Sequence, residues 1–204
     1  MVDQKIRDLL EEGHDRFNRP EFIGSDPIFI PHQYSNPGDI EVSGFLTSLL
    51  SWGHRKMIIK KALELMRLMD DEPYNFIRYC RHSDLKRFER FVYRTFQSVD
   101  VPFFIFSLQN IYSTQGSLQP ILVKNLQEDN MAFAIHALRQ ELLQEPHLLR
   151  TRKHLPDPLA GSAAKRINMF LRWMVRKDHR GVDFGLWDDV SSSQLRCPWI
   201  SILA

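Results

Sequence analysis

The sequence is poor in cysteine and has no long apolar run. Only Cys80 and Cys197 occur in 204 residues, so a disulfide framework and a multi-cysteine metal site are both excluded. Thiols without such a framework are typical of a reducing compartment, and we predict a cytoplasmic protein. The residues after Met1 lack the apolar stretch of a secretory signal peptide. No run of about 18 apolar residues exists, so we expect no membrane span and no membrane partner.

Glycine is also scarce, with 9 residues against 14 phenylalanines, which favours helices packed on aromatic anchors. Hydrophobic residues make up 43% of the chain and charged residues 25%, a balance typical of a packed globular core. No segment alternates polar and apolar residues for long, which argues against sheet-rich folds. We therefore predict an all-α fold and a single domain over 1–204. The alternative is two helical lobes, about 1–35 with 150–204 and about 36–149.

Helical periodicity and stop signals position the elements. A first helix is predicted over 4–17, and repeated prolines predict a loop over 18–38. Asp39 is predicted to cap a helix that ends near Gly53. The remaining predicted helical segments cover 55–69, 73–81, 84–94, 103–112, 117–126, 130–144 and 162–177, the last of them capped by Ser162.

Positive charge is concentrated in the last third of the chain. Between Arg150 and Arg180 there are nine lysines and arginines, opposed by Asp157 and Asp178. Such a block fits a surface that faces phosphate. Charge alone favours the simpler alternative, a solvated helix face with a charged loop.

The segment from Gly161 to Met174 combines an apolar stripe with an unusual lysine. The stripe recurs at helical spacing and consists of Ile167, Phe170, Leu171 and Met174. Lys165 and Arg172 lie off the stripe, seven residues apart and nearly aligned on one face. A lysine in the first turn meets the positive end of the helix dipole, which disfavours its ammonium form. That position suits a lysine that attacks as a neutral amine, although an isolated exposed lysine is usually ordinary.

Gly161, Lys165 and the Phe-Leu-Arg of 170–172 resemble helix-hairpin-helix DNA glycosylases, above all the compact 8-oxoguanine glycosylase/lyase group, in which an Asp-x-His follows further on. The resemblance implies an α-helical fold in which a hairpin of helices grips the DNA backbone. It also implies that Lys165 attacks the sugar C1′ of a flipped-out nucleotide and that an aspartate assists. In this chain Ile200 takes the place of that aspartate.

The C-terminus explains this departure if the reading frame has shifted. One set of codons for 198–204 is CCC TGG ATA TCC ATA CTG GC-, and one added C gives Pro-Leu-Asp-Ile-His-Thr-Gly. We therefore expect a frame-shifted, truncated end, with the aspartate lost and C-terminal helices missing. Their loss is expected to expose apolar surface near Leu171 and Trp187 and to promote self-association.

A second region agrees with the glycosylase resemblance. Residues 39–51, the turn after them and the helix over 55–69 resemble the helix pair whose loop meets the DNA. Glutamine is usual in that loop, where this chain has Trp52-Gly53-His54, and Trp52 is expected to stack on or wedge into DNA. The nucleic-acid contacts predicted in this way are Trp52, His54, Arg55, Lys56, Ser162, Arg166, Arg172 and Arg176. Neither a metal nor a cofactor is implied.

Over its whole length the chain resembles an uncharacterised family catalogued as domain of unknown function 2400. The phrases that carry this resemblance are 39–45, 51–56, 170–176 and 181–187.

Three functions remain open at this point. The first is a base-excision DNA glycosylase or abasic-site lyase that acts on damaged duplex DNA and is impaired here because the aspartate is absent. The second is a helical module that binds nucleic acid without catalysis. The third is a helical domain whose basic block meets an acidic protein.

Overall fold

A computed structural model describes residues 4–127 and 130–195, and most of these residues are helical. The α-helices are α1 (Gln4–Phe17), α2 (Pro20–Ile23), α3 (Pro37–Leu50), α4 (Arg55–Arg67), α5 (Pro73–Tyr79), α6 (Val101–Thr114), α7 (Gln119–Lys124), α8 (Met131–Leu142) and α9 (Lys165–Val175). Short 3-10 segments occur at Pro27–Phe29, Pro31–Gln33, His82–Phe88, Ser98–Asp100, Leu149–His154, Pro158–Ala160 and Ser192–Gln194. Strands β1 (Val92–Tyr93) and β2 (Phe96–Gln97) form one antiparallel hairpin, in which Tyr93 pairs with Phe96. The all-α prediction is confirmed.

Helix α3 lies at the centre of the core, since every residue from Ile40 to Leu50 is buried. Helix α9 packs along it, with the rings of Phe45 and Phe170 5.5 Å apart. Gly44 faces α9, where a Cβ would meet Met174 at 3.4 Å, an ordinary van der Waals distance. The α9 stripe predicted from sequence is at most 2% exposed. Burying each such side chain contributes about 1.5–3 kcal/mol, so the helix pair is a major source of stability.

A buried carboxylate joins α3 to three other segments. Glu41 accepts hydrogen bonds from the hydroxyl of Tyr112 at 2.6 Å, the amide of Leu118 at 2.8 Å and the indole of Trp187 at 2.7 Å. Trp187 is 3% exposed and Leu171 is 1% exposed. The expected apolar patch near these two residues is therefore wrong, because the 185–187 turn folds back onto α3 and α9.

Two predicted helix caps are wrong. Helix α3 begins at Pro37, and Asn36 caps it by accepting from the amide of Gly38 at 2.8 Å. Asp39 instead accepts from the amide of Tyr74 at 2.9 Å and ties α3 to α5. Proline is well suited to the first helical position, which moves the start of α3 ahead of Asp39.

Helix α9 begins at Lys165, three residues later than predicted. Its N-cap is Ala164, in the left-handed conformation with φ of 46°. The Ser162 hydroxyl accepts from the Ala164 amide at 3.2 Å and shapes the preceding loop. Asn168 reinforces this start by donating to the carbonyls of Ala163 and Ala164, each at 3.2 Å.

The helix predicted over 84–94 is also wrong. A 3-10 segment ends at Phe88, and the chain then forms the β1–β2 hairpin, turning at Arg94 with φ of 54°. Phe88 and Phe91 have helical spacing but are each 1% exposed, because they anchor irregular backbone to the core. The predicted 18–38 loop contains α2 and two 3-10 turns, each begun by a proline. The helices predicted around α4 to α8 are confirmed to within a few residues.

Candidate nucleic-acid interface

The turn between α3 and α4 presents the predicted contact residues to solvent. Trp52 is 38% exposed, and His54, Arg55 and Lys56 are exposed beside it. Gly53 has φ of 109°, a conformation that favours glycine and allows the sharp reversal between the two helices. The hydroxyl of Tyr93 donates to the Trp52 carbonyl at 3.0 Å, which ties the turn to the β1–β2 hairpin. The α3–α4 turn is therefore exposed to solvent, and its backbone is fixed by a hydrogen bond to the hairpin.

Arg166 brings the start of α9 to this same end of the molecule. Its guanidinium donates to the Leu49 carbonyl at the end of α3 and, at 3.5 Å, to the His154 carbonyl. Burial lowers the pKa of Arg166, although such a group stays charged at neutral pH. Arg166 was predicted to bind nucleic acid, whereas here it joins three segments. Lys165, the residue before it in the chain, is exposed.

Asp100 anchors the hairpin and the 149–154 segment around this surface. The carboxylate is fully buried and accepts from the amide of Gln97 at 2.9 Å and from the hydroxyl of Thr151 at 2.8 Å. The Arg150 guanidinium at 2.6 Å and the His154 ring at 3.2 Å complete its shell. Burial opposes ionisation, but these donors lower the pKa of Asp100 below its ordinary value. Burial lowers the pKa of His154, and Asp100 only partly offsets that effect.

Sequence reasoning missed one residue of this surface, Arg94. It lies at the hairpin turn, exposed, with its guanidinium carbon 4.0 Å from the centroid of the Trp52 ring. Nothing in the local sequence distinguishes Arg94 from the neighbouring arginines. Only the hairpin, which is itself unexpected, carries it across to the α3–α4 turn.

Two of the predicted contacts lie towards the opposite end of α9. Arg172 and Arg176 are about 10 Å and 16 Å further along the helix than Lys165, at 1.5 Å per residue. Both form ion pairs with the buried carboxylate of Asp183, Arg172 at 3.3 Å. Burial raises the pKa of Asp183 despite the two arginines. The amide of Phe184 donates to the Trp173 carbonyl at 2.8 Å, so Asp183 lies far from Lys165 and is no partner for it.

Much of the basic block is matched by acidic groups. Arg150 pairs with Asp100 at 2.6 Å, and Lys177 lies 3.3 Å from Asp188. Arg180 reaches α1, where it pairs with Asp15 at 2.6 Å. These arginines and this lysine are therefore held by carboxylates of the same chain, which the sequence alone did not indicate.

The loop before α9 is tied to α8. Gly161 turns the chain with φ of 86°, and the amide of Ser162 donates to the Asp157 carbonyl at 3.1 Å. The Asp157 carboxylate accepts from His136 at 2.9 Å and lies 3.6 Å from Arg139, both on α8. Burial tends to raise the pKa of Asp157, but His136 and Arg139 stabilise the charged carboxylate, and the pKa is lowered from its ordinary value. The Asp157 carboxylate therefore faces α8. Ser162, three residues before Lys165 in the chain, is exposed.

Residues 26–199 match the family described as Protein of unknown function (DUF2400). The chain belongs to that family. No curated protein and no solved structure matches it. Family membership therefore confirms the whole-chain resemblance and leaves the function to be argued from the surface itself.

Other features bear on cofactors and partners. Across 4–127 and 130–195, no group of three or more histidine, cysteine or acidic side chains is arranged to hold a metal ion. None of the helices in these ranges combines the length and hydrophobicity of a bilayer span. Cys80 is a buried free thiol. The frame-shift inference at 198–204, the Ile200 position and Cys197 all fall outside the described residues.

Proposed function

We propose that this protein binds damaged DNA in the manner of a helix-hairpin-helix glycosylase, and that Lys165 is its amine nucleophile. The observation that carries the proposal is the Arg166 contact with Leu49, which puts the start of α9 beside the α3–α4 turn. Lys165, Trp52 and Lys56 are all exposed. Lys165 begins α9, whereas Trp52 and Lys56 flank the α3–α4 turn, so we expect the three side chains to face one ligand. Amines supply charge for phosphate, and the indole supplies a stacking face.

The chemistry available to Lys165 is imine formation at an abasic sugar. The neutral amine would attack the C1′ aldehyde of the ring-opened sugar, and the resulting carbinolamine would lose water to give the imine. This step needs no departure of a base. Excision of an intact base would need a carboxylate to handle protons, a contribution of about 10²- to 10⁴-fold. Asp183 is too far from Lys165 to do this, because it pairs with Arg172 and Arg176. In the sequence, Ile200 stands at the position where the resemblance implies the aspartate, so we expect little or no base excision.

The test is covalent trapping on a duplex with a pre-formed abasic site. With borohydride present, we expect a low-yield adduct and salt-sensitive binding of the duplex. Lys165→Gln should abolish the adduct. Lys177→Gln is the matched control, because it removes the same charge beyond the other end of α9 and should leave the adduct unchanged.

The outcomes separate the competing functions. Binding without a Lys165-dependent adduct would favour a non-catalytic nucleic-acid module. Absence of binding to intact and abasic duplexes alike would refute the proposal and leave an acidic protein as the expected partner.

A further inference from the structure

The two-residue turn of the β1–β2 hairpin places Arg94 beside Trp52, and turns of this length require a positive φ at their first residue. Arg94 has φ of 54°, in the left-handed region, which costs a non-glycine residue on the order of 1 kcal/mol or more. Its guanidinium carbon lies 4.0 Å from the Trp52 ring centroid, the closest cation–π approach among the described residues. Arg94 is exposed, and Trp52 is 38% exposed, so both side chains are accessible to a ligand.

Two hydrogen bonds and the space left by one glycine keep the Arg94–Trp52 pair in this position. Arg150 donates to the Thr95 carbonyl at 2.9 Å and so holds the hairpin turn from one side. Tyr93 donates to the Trp52 carbonyl at 3.0 Å and joins the hairpin to the α3–α4 turn. Gly53 leaves space for the guanidinium, because a Cβ there would lie 2.6 Å from Nη1 of Arg94. Both turns that carry the pair are thus held in place, with room between them for the guanidinium.

We propose that Arg94 and Trp52 form a stacking platform for an unpaired nucleobase. The Arg94 guanidinium lies over the indole, and in this proposal its solvent side receives the base. Guanidinium planes stack on nucleobases, and the same charge attracts the neighbouring phosphate. Only an unpaired base has a face free for such a stack, so the platform selects single-stranded or extrahelical nucleotides over intact duplex. The inference rests on the proposed function, since it names the nucleotide state that this surface takes.

The test compares a single strand of thymidines, about 12 nucleotides long, with a fully paired duplex of equal length. Arg94→Lys keeps the charge and loses the plane. We expect it to weaken single-strand binding about tenfold and duplex binding less than twofold, with an unchanged salt dependence. Arg90→Lys, at an exposed arginine before the hairpin, is the matched control and should change neither affinity. Near-ultraviolet circular dichroism checks that each variant is folded.

Tryptophan fluorescence gives a second, direct measurement. Trp52 is exposed, whereas Trp173 and Trp187 are buried, so the difference between the wild type and Trp52→Phe isolates the Trp52 emission. We expect the single strand to change that emission in the wild type but much less in Arg94→Lys. Unchanged emission, or single-strand affinity that Arg94→Lys leaves intact, would overturn the stacking platform.

The two proposals fail in different ways. Duplex binding and the Lys165 adduct, together with normal single-strand binding by Arg94→Lys, would overturn the platform alone. Arg94-dependent binding of the single strand without any adduct would support the platform and refute the role of Lys165. A protein that binds neither strand nor duplex would overturn both.

Discussion

Asp100→Asn is expected to destabilise the fold by about 2–4 kcal/mol, because Asp100 is a fully buried acceptor for four donors. The variant keeps the shape of the side chain, removes its charge and replaces one acceptor oxygen by an amide donor. Hydrogen bonds to a charged acceptor contribute about 1.5–3 kcal/mol each, but they share one group and do not add. Thr151→Val, which removes only one of these donors, should cost about 1–2 kcal/mol.

Urea denaturation followed by circular dichroism measures both effects. The control is Asp188→Asn, because Asp188 is 78% exposed and its pair with Lys177 should contribute under about 0.5 kcal/mol. The pKa of Asp100 is lowered on folding, so its contribution is complete above the unfolded value near 3.9 and declines as pH falls through the lower folded value. The difference between wild type and Asp100→Asn should therefore shrink below about pH 4. A loss under about 1 kcal/mol at neutral pH would refute the assignment of Asp100 as the anchor.

Three further perturbations test neighbouring features. Gly53→Ala should lower the free energy of unfolding by at least about 1 kcal/mol, because its backbone would be strained, and should displace Arg94. The control is Gly13→Ala in α1, where nothing lies within 4 Å of the new Cβ; in the same denaturation assay it should stabilise the protein by up to about 1 kcal/mol. Glu41→Gln puts an amide donor among three hydrogen-bond donors and should cost about 2–3 kcal/mol, seen as a lower urea midpoint; an unchanged midpoint would contradict the role of Glu41. Burial lowers the pKa of His154, so its contribution to the free energy of unfolding is full above about pH 6.5 and is lost as pH falls through the lower folded value. Urea denaturation from pH 7 to pH 5 should show a smaller loss of stability in His154→Gln than in the wild type.

The all-helical class and the α9 stripe follow from the sequence because they depend on local periodicity. Ile167, Phe170 and Leu171 recur at helical spacing, and such a stripe is buried wherever the helix packs. The exposed Trp52–Lys56 turn was also predictable, since Gly53 interrupts two apolar helices and polar residues follow it.

Helix starts and the hairpin were decided by contacts remote in sequence. Asp39 is a residue type that often caps helices, but its carboxylate accepts a hydrogen bond from the amide of Tyr74, and Asn36 caps the helix instead. Phe88 and Phe91 have helical spacing, yet the core accepts both rings from irregular backbone that local propensity does not specify.

The role of each charged residue was the least predictable feature, because the sequence counts charges and cannot show their partners. Arg166 and Arg172 lie on α9 and Arg176 directly follows it, but Arg166 joins α9 to α3, and the other two pair with buried Asp183. Arg94 lies outside the basic block and reaches Trp52 only through the hairpin. Periodicity along the chain predicts which segments are helical and which of their faces are buried. The partners of the cations follow only from the fold, because Arg150 meets Asp100 and Arg180 meets Asp15 across long separations in sequence.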